Sequence, residues 1–471
     1  MVARGPSLRG REEAGSAAGA RGSGRAPDPR WAWAPYEPGG ERPWNLARAG
    51  HLYRRAAFGA AWGELRQAVE AGPARSVERL LRPETDVASF NRIHDGYEES
   101  ISDSADGLRA WWLRRMLLTP HPLLERMTLF WHDFFGTSNV TVKSGPLMRG
   151  HLRLLRANAL GSFEALLDGV SKDPATLLAL DAAANRKVRP SVHFARSLME
   201  HFTLGPGNFT ETDAAEAARA FTGWFVLRGE LRHFPREVDS GPKRILGEEG
   251  NFSREDVVRI LLRQRATARL VVRRLYRAFV SETAEPSEAI VSPLAESFDK
   301  DHDIGKLVEA ILRSNLFFSE AAYRQRIKSP VDFALGIVKA LEGSVPTAQL
   351  SRDLAALGMN LCHPPTVDGW QGGRSWITWS TIVGRSNLAK ALLCGDEPYG
   401  KVLDPLGIAR KNGRGAPESA AEFLVDLFLQ GDIEDGVRRA LLGSLGAGGD
   451  PQEPLRAFTH LLTALPEFHL A

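Results

Sequence analysis

The chain has 471 residues, 43% of them apolar and 25% charged, with 60 basic and 57 acidic side chains. This composition excludes global disorder, and a net charge of +3 gives no chain-wide electrostatic case for nucleic acid. No apolar run approaches the roughly 18 residues of a membrane-spanning helix, so no membrane span is expected.

Eleven of the 60 basic residues are Lys and the rest Arg, a large supply of planar donors that pair bidentately with carboxylates. Cys362 and Cys394 stand apart and belong to no CxxC pair, which argues against a disulfide framework or a thiolate zinc site. Residues 1–30 are rich in Arg, Gly, Ala and Ser, carry no apolar leader segment, and read as a disordered basic tail. A cytoplasmic location is the matching expectation. Order is expected to start near Trp31, Trp33 and Trp44, opening a main helical domain over 31–394.

Within that domain the apolar spacing is mostly three to four. Gly107–Thr119 carries Leu108, Trp111, Trp112, Met116 and Leu117 in this pattern, and Pro122–Phe135 follows with Leu123, Met127, Phe130 and Phe134. A helix is expected over Pro190–Leu204. Thr210 with Asp213, and Ser253 with Asp256, are capping-box pairs that predict two further helix starts. Leu270–Phe279 continues the pattern, and Pro330 suits the first turn of a helix over Ser329–Leu341. Trp224–Leu227, a turn at Arg228-Gly229 and Leu231–Phe234 read as one short hairpin. The Gly- and Pro-rich stretches 235–250 and 363–374 are expected to be structured loops. Residues 395–418, with Gly395, Pro398, Pro405, Gly413 and Pro417, read as a linker or hinge. Helices are also expected over Arg385–Leu393, Ser419–Leu429 and Pro454–Ala464, so that 419–471 forms C-terminal helices packing on the main domain. The fold class is all-α with a minor β-hairpin near 224–234.

Several blocks carry a family resemblance. In order they are HLYRRAAFG from His51, ERMTLFWHDFF from Glu125, KDPATLLALDAAANRK from Lys172, and FARSLMEHFTLGPGNFTETDAAEAARAFTGW from Phe194. DSGPK from Asp239, IKSPVD from Ile327, PPTVDGWQGGRSWI from Pro364 and LPEFHL from Leu465 complete the series. Together they resemble the bacterial family called domain of unknown function 1800 over roughly residues 45–471. The resemblance implies a predominantly helical protein without an assigned activity, often accompanied by a sulfatase-like family of unknown function (1501) as a partner. It also implies a polar Asn-Glu-Asn run where this chain has Ser191, Val192 and His193, a Glu at Ser197, and a His at Val238.

Four groups of residues are candidates for chemistry. On the helix over Pro190–Leu204, His193, Ser197 and Glu200 fall within about 60° of one another, flanked by Arg196 and His201. His193 and Glu200 are nevertheless about 10 Å apart in helical rise, too far to meet around one small ion unaided. On Pro122–Phe135, His132 lies in a stripe with Glu125 and Thr128 and is a candidate base or ligand. His132, Glu200 and His201 would supply N and O ligands to a divalent metal, although no HExxH or other specific cofactor motif is present. In the loop after Pro364, Gly369, Gly372 and Gly373 permit close backbone approach, while Trp370, Trp376 and Trp379 offer stacking faces for a sugar. Arg219, Trp224, Asp239 and Lys243 form the last candidate group, as ligand-binding residues around DSGPK.

The leading expectation is a helical binding or assembly protein acting with a partner. The alternative is a divergent, metal-assisted hydrolase with His132, His193, Ser197 and Glu200 as catalytic candidates and His201 beside them. A third reading is saccharide binding through Trp370 and Trp376.

Overall fold

The computed structural model describes residues 28–100, 104–395, 397–445 and 451–471, so the expected tail lies outside the described residues up to position 27. Among the described residues are twenty-four α-helices and two small antiparallel hairpins, which is the all-α class with a minor β component. No described helix is long and apolar enough to cross a membrane.

Local sequence accounts for many boundaries. The helix Pro122–Phe135 has proline in its first turn and stops at Gly136, whose φ of 54° is left-handed. The Thr210–Asp213 and Ser253–Asp256 boxes open Glu211–Ala220 and Arg254–Leu262. A third box, Ser329 with Asp332, opens Pro330–Ala340. The helix expected over Pro190–Leu204 is shorter, Val192–Glu200: the Leu204 N–H bonds back to the Met199 carbonyl, and Gly205 follows with φ 78°.

The first hairpin pairs Trp224 with His233 and Leu227 with Glu230. Its turn residues, Arg228 and Gly229, both have positive φ, which keeps the strands' natural twist. A second hairpin, Lys243–Ile245 with Glu248–Gly250, occupies part of the stretch expected to be loop. Strands of three residues are too short to show alternation in sequence.

Two apolar cores fill the molecule. One is built from segments between Ala32 and Ala322, the other from Ala105–Leu118 together with Pro330–Ala340 and the helices that follow. The helix Pro122–Phe135 lies between them, giving Leu123, Met127, Trp131, Phe134 and Phe135 to the first and Leu129 to the second. The 395–418 stretch is not a bare linker: it carries the helix Pro405–Lys411, and Leu403 and Leu406 are buried in the second core. Arg456 fastens it by donating to the Leu393 and Leu403 carbonyls. The C-terminal residues return to the middle of the chain, where the Lys328 N–H donates to the His469 carbonyl and the Ala471 N–H to that of Arg326.

Candidate functional site

A cavity of about 750 Å³ opens where Pro122–Phe135, Arg265–Phe279 and the loop over 366–376 meet. The first helix presents Arg126, Phe130, Asp133 and Phe134 to it, a set spaced to share one helical face. Arg274 and Arg277 come from the second helix, Glu282 and Arg326 from the segments beyond, and Trp370, Arg374 and Trp376 from the loop.

The loop is pressed against the helix. Asp133 Oδ1 accepts the Trp370 backbone N–H at 2.7 Å. A Cβ on Gly369, which has φ 78°, would collide with that carboxylate, and one on Gly136 would collide with the Val367 backbone. Glycine is therefore required on both sides of the contact.

Five arginines line the cleft, and their commitments differ. Arg126 is buried and bonded to Asp332 and to the Ala57 carbonyl. Arg326 pairs with Glu282 at 2.9 Å. Arg274 reaches Asp368 at 3.3 Å, and the same carboxylate oxygen takes His201 Nδ1 at 2.9 Å. Among the described residues, exposed Arg277 donates only to the Gln371 carbonyl, and exposed Arg374 makes no side-chain hydrogen bond or ion pair. The cleft thus keeps guanidinium donors that no carboxylate has satisfied.

Asp133 in the cleft wall and Asp332 beneath it are held in opposite ways. Burial pushes the Asp133 carboxyl up to about 6, against the downward pull of the Trp370 N–H and of Arg274, Arg326 and Arg277. Burial also acts to raise Asp332, yet Arg126 and Arg326 outweigh it and hold that carboxyl at about 2. Asp133 therefore exchanges its proton near neutral pH, and each protonation makes the cleft more positive.

A family model described as "Protein of unknown function (DUF1800)" matches residues 51–470. The chain belongs to that family. No curated protein and no solved structure matches it.

In this DUF1800 chain the motif blocks recognised in the sequence serve the cleft unequally. Trp370 and Trp376, from the Pro364 block, line it. Trp379 does not; it is 89% exposed and, with Ile382 and Val383, forms an apolar stripe at the start of Trp379–Cys394. His132 turns away from the cleft and is fully buried between Trp112, His151 and Trp370, with neither ring nitrogen hydrogen-bonded. Burial, then His151 and His363, lower its pKa far below the usual value, so it is a neutral core residue.

The other helix candidates are dispersed. His193 is exposed, Ser197 is only 2% exposed, and Glu200 is half-buried; none of them lines the cleft. Arg196 is paired with Glu211. Only His201 reaches the cleft, through Asp368. Among the described residues no three His, Cys, Asp or Glu side chains are grouped to hold a metal ion, so His132, Glu200 and His201 do not come together as ligands.

The DSGPK group closes on itself. Arg219 grips both Asp239 oxygens at 2.8 and 3.1 Å, and Lys243 Nζ donates to the Asp239 and Gly241 carbonyls. The Arg219 hydrogen bond holds the Asp239 carboxyl at about 2. Trp224 packs on His233. Arg219, Asp239 and Lys243 brace the start of the second hairpin, Trp224 belongs to the first, and none of the four lines the cleft.

Sequence reasoning missed Asp133, Arg274, Arg277, Glu282, Arg326 and Arg374 as members of one site. The only available signal was Asp133 itself, which stands in the WHDFF block one position from the residue that was singled out.

Proposed function

We propose that this protein binds a small acidic saccharide in the cleft, with Arg277 and Arg374 taking the anionic group and Trp370 or Trp376 meeting a sugar face. The observation that carries this reading is the pairing of uncommitted arginines with aromatic walls in one cavity of about 750 Å³, a size suited to a small ligand. Guanidinium groups match carboxylate, sulfate and phosphate geometry, and indole rings stack on the apolar face of a pyranose. Hydrolysis receives less support, because the residues expected to perform it do not line the cleft.

Thermal unfolding with a panel of uronate- and sulfate-bearing oligosaccharides, set against neutral sugars of equal length, tests the reading. An anionic sugar should raise Tm in wild type and lose that effect in the Arg277→Ala, Arg374→Ala double variant. Equal shifts from neutral sugars, or none from any anionic one, would overturn it.

A protein partner has a separate candidate surface in the stripe Trp379, Ile382 and Val383, which is large and exposed beside the cleft loop. If the sulfatase-like partner implied by the family resemblance docks there, the Trp379→Ser, Val383→Ser variant will remain folded and fail to co-migrate with that purified partner. Undiminished co-migration would reject this surface.

A further inference from the structure

A second, smaller cavity lies between Leu46–Ala56 and the C-terminal helices. It measures about 30 Å³ and is lined by Arg54, Lys328, Gln430, Phe428 and Phe468. We propose that it is a binding site for one small inorganic anion of the size of chloride.

Two buried basic side chains line it, and among the described residues no acidic one does. Arg54 is 8% exposed; its Nη1 donates to Gln430 Oε1, but its Nε and Nη2 are buried with no hydrogen-bond partner. Lys328 is 5% exposed, and its ammonium lies 3.6 Å from the centroid of the Phe468 ring. Among the described residues neither side chain has a carboxylate within ion-pair distance. The nearby acids are engaged elsewhere: Asp332 with Arg126 and Ser329, Asp432 with Tyr323 and Arg324. Of the other neighbouring cations, Arg385 donates to the Lys328 carbonyl and Arg324 to the Asp432 and Leu429 carbonyls.

Unpaired buried donors are costly, at about 1–3 kcal/mol each and more when charged, so the arrangement calls for an acceptor. Burial foremost, then Arg54, Arg324 and Arg385, drive the Lys328 ammonium well below its usual pKa, with Asp332 opposing them. A water would fill the space and accept from these donors, but it would leave the charge in place. An anion accepts from Arg54 and Lys328 together and neutralises the field. The volume exceeds the roughly 10–15 Å³ needed for one water and is far below that of the main cleft, which restricts the occupant to a single small ion. Such an ion would join three distant segments: Leu46–Ala56, the segment at Lys328 that meets the C-terminus, and Gln430 after Pro417–Leu429.

Crystals of the full chain grown in bromide in place of chloride give the direct test. The expected result is an anomalous difference peak between Arg54 and Lys328; peaks at surface positions alone, with only a water in the cavity, would overturn the site. In solution, replacing gluconate by chloride at constant ionic strength should raise Tm by about 2 °C, by preferential binding to the folded state. Lys328→Met should abolish that rise. A wild-type protein indifferent to chloride, or an equal rise in Lys328→Met, would also overturn the proposal. If Lys328→Met does not fold, the bromide map of the wild-type protein decides.

Discussion

Glu125 and Asp133 stand eight residues apart on one helix, and their environments are opposites. Glu125 is completely buried, yet Arg156 and Arg115 outweigh the effect of burial and lower its pKa, and Trp112 Nε1 adds a hydrogen bond at 3.0 Å. Asp133 faces the cleft with one close donor, the Trp370 N–H, and burial prevails. The difference lies in matched donors rather than depth. A carboxylate with a full set of partners is structural, whereas one left short of partners at a cavity wall responds to pH and to ligands.

The largest effect should come from breaking the matched end. Glu125→Ala leaves buried Arg115 and half-buried Arg156 without the Glu125 carboxylate and should cost about 3–5 kcal/mol, read by denaturant unfolding. A loss below about 1 kcal/mol would mean that the arginines find other partners and that the contrast is overstated.

Next is the seam between loop and helix. Gly369→Ala forces a Cβ against Asp133 at a positive φ and should cost about 1–3 kcal/mol of stability, while weakening any ligand that needs Trp370. Unchanged stability would show that the loop is not pressed onto the helix.

Asp133→Asn sharpens the comparison from the other side. Because the Asp133 pKa is raised from 3.8 to about 6 in the folded state, the native protein holds this proton more tightly than the unfolded chain does. Its contribution to stability is therefore greatest below pH 3.8 and is lost as pH rises through 6. The Asn variant should be more stable than wild type by about 1–3 kcal/mol at pH 7.5 and should lose that advantage near pH 4. An advantage that does not vary with pH would contradict the account of Asp133. Glu125, whose pKa is lowered, should show the reverse trend.

The fold was more legible than the site because local rules govern helix ends. Proline at position 122 and glycine at 136 mark the two ends of one helix, and three Ser/Thr–Asp pairs cap three others. The second hairpin and the helix Pro405–Lys411 escaped notice because each is short and sits among glycines and prolines. In the cleft, Trp370 and Trp376 were visible because aromatic residues in a glycine-rich loop stand out. Arg274, Arg277, Arg326 and Arg374 were not: each alone resembles a solvated surface charge, and only tertiary contact brings them together. His132 drew attention that belonged to Asp133, since a step of one residue turns a side chain by about 100° around a helix. Here that step separates core from cleft.

In the proposed site the cleft binds an anion under the control of Asp133. Calorimetric titration of the best anionic oligosaccharide at pH 5.5 and 7.5, with wild type, Asp133→Asn and Arg277→Ala/Arg374→Ala, tests it most directly. Affinity should fall as pH rises through about 6 in wild type, stay nearly level in Asp133→Asn, and drop at least about tenfold at both pH values in the arginine variant, equivalent to about 1.4 kcal/mol. Binding that ignores both the arginine substitutions and pH would contradict it.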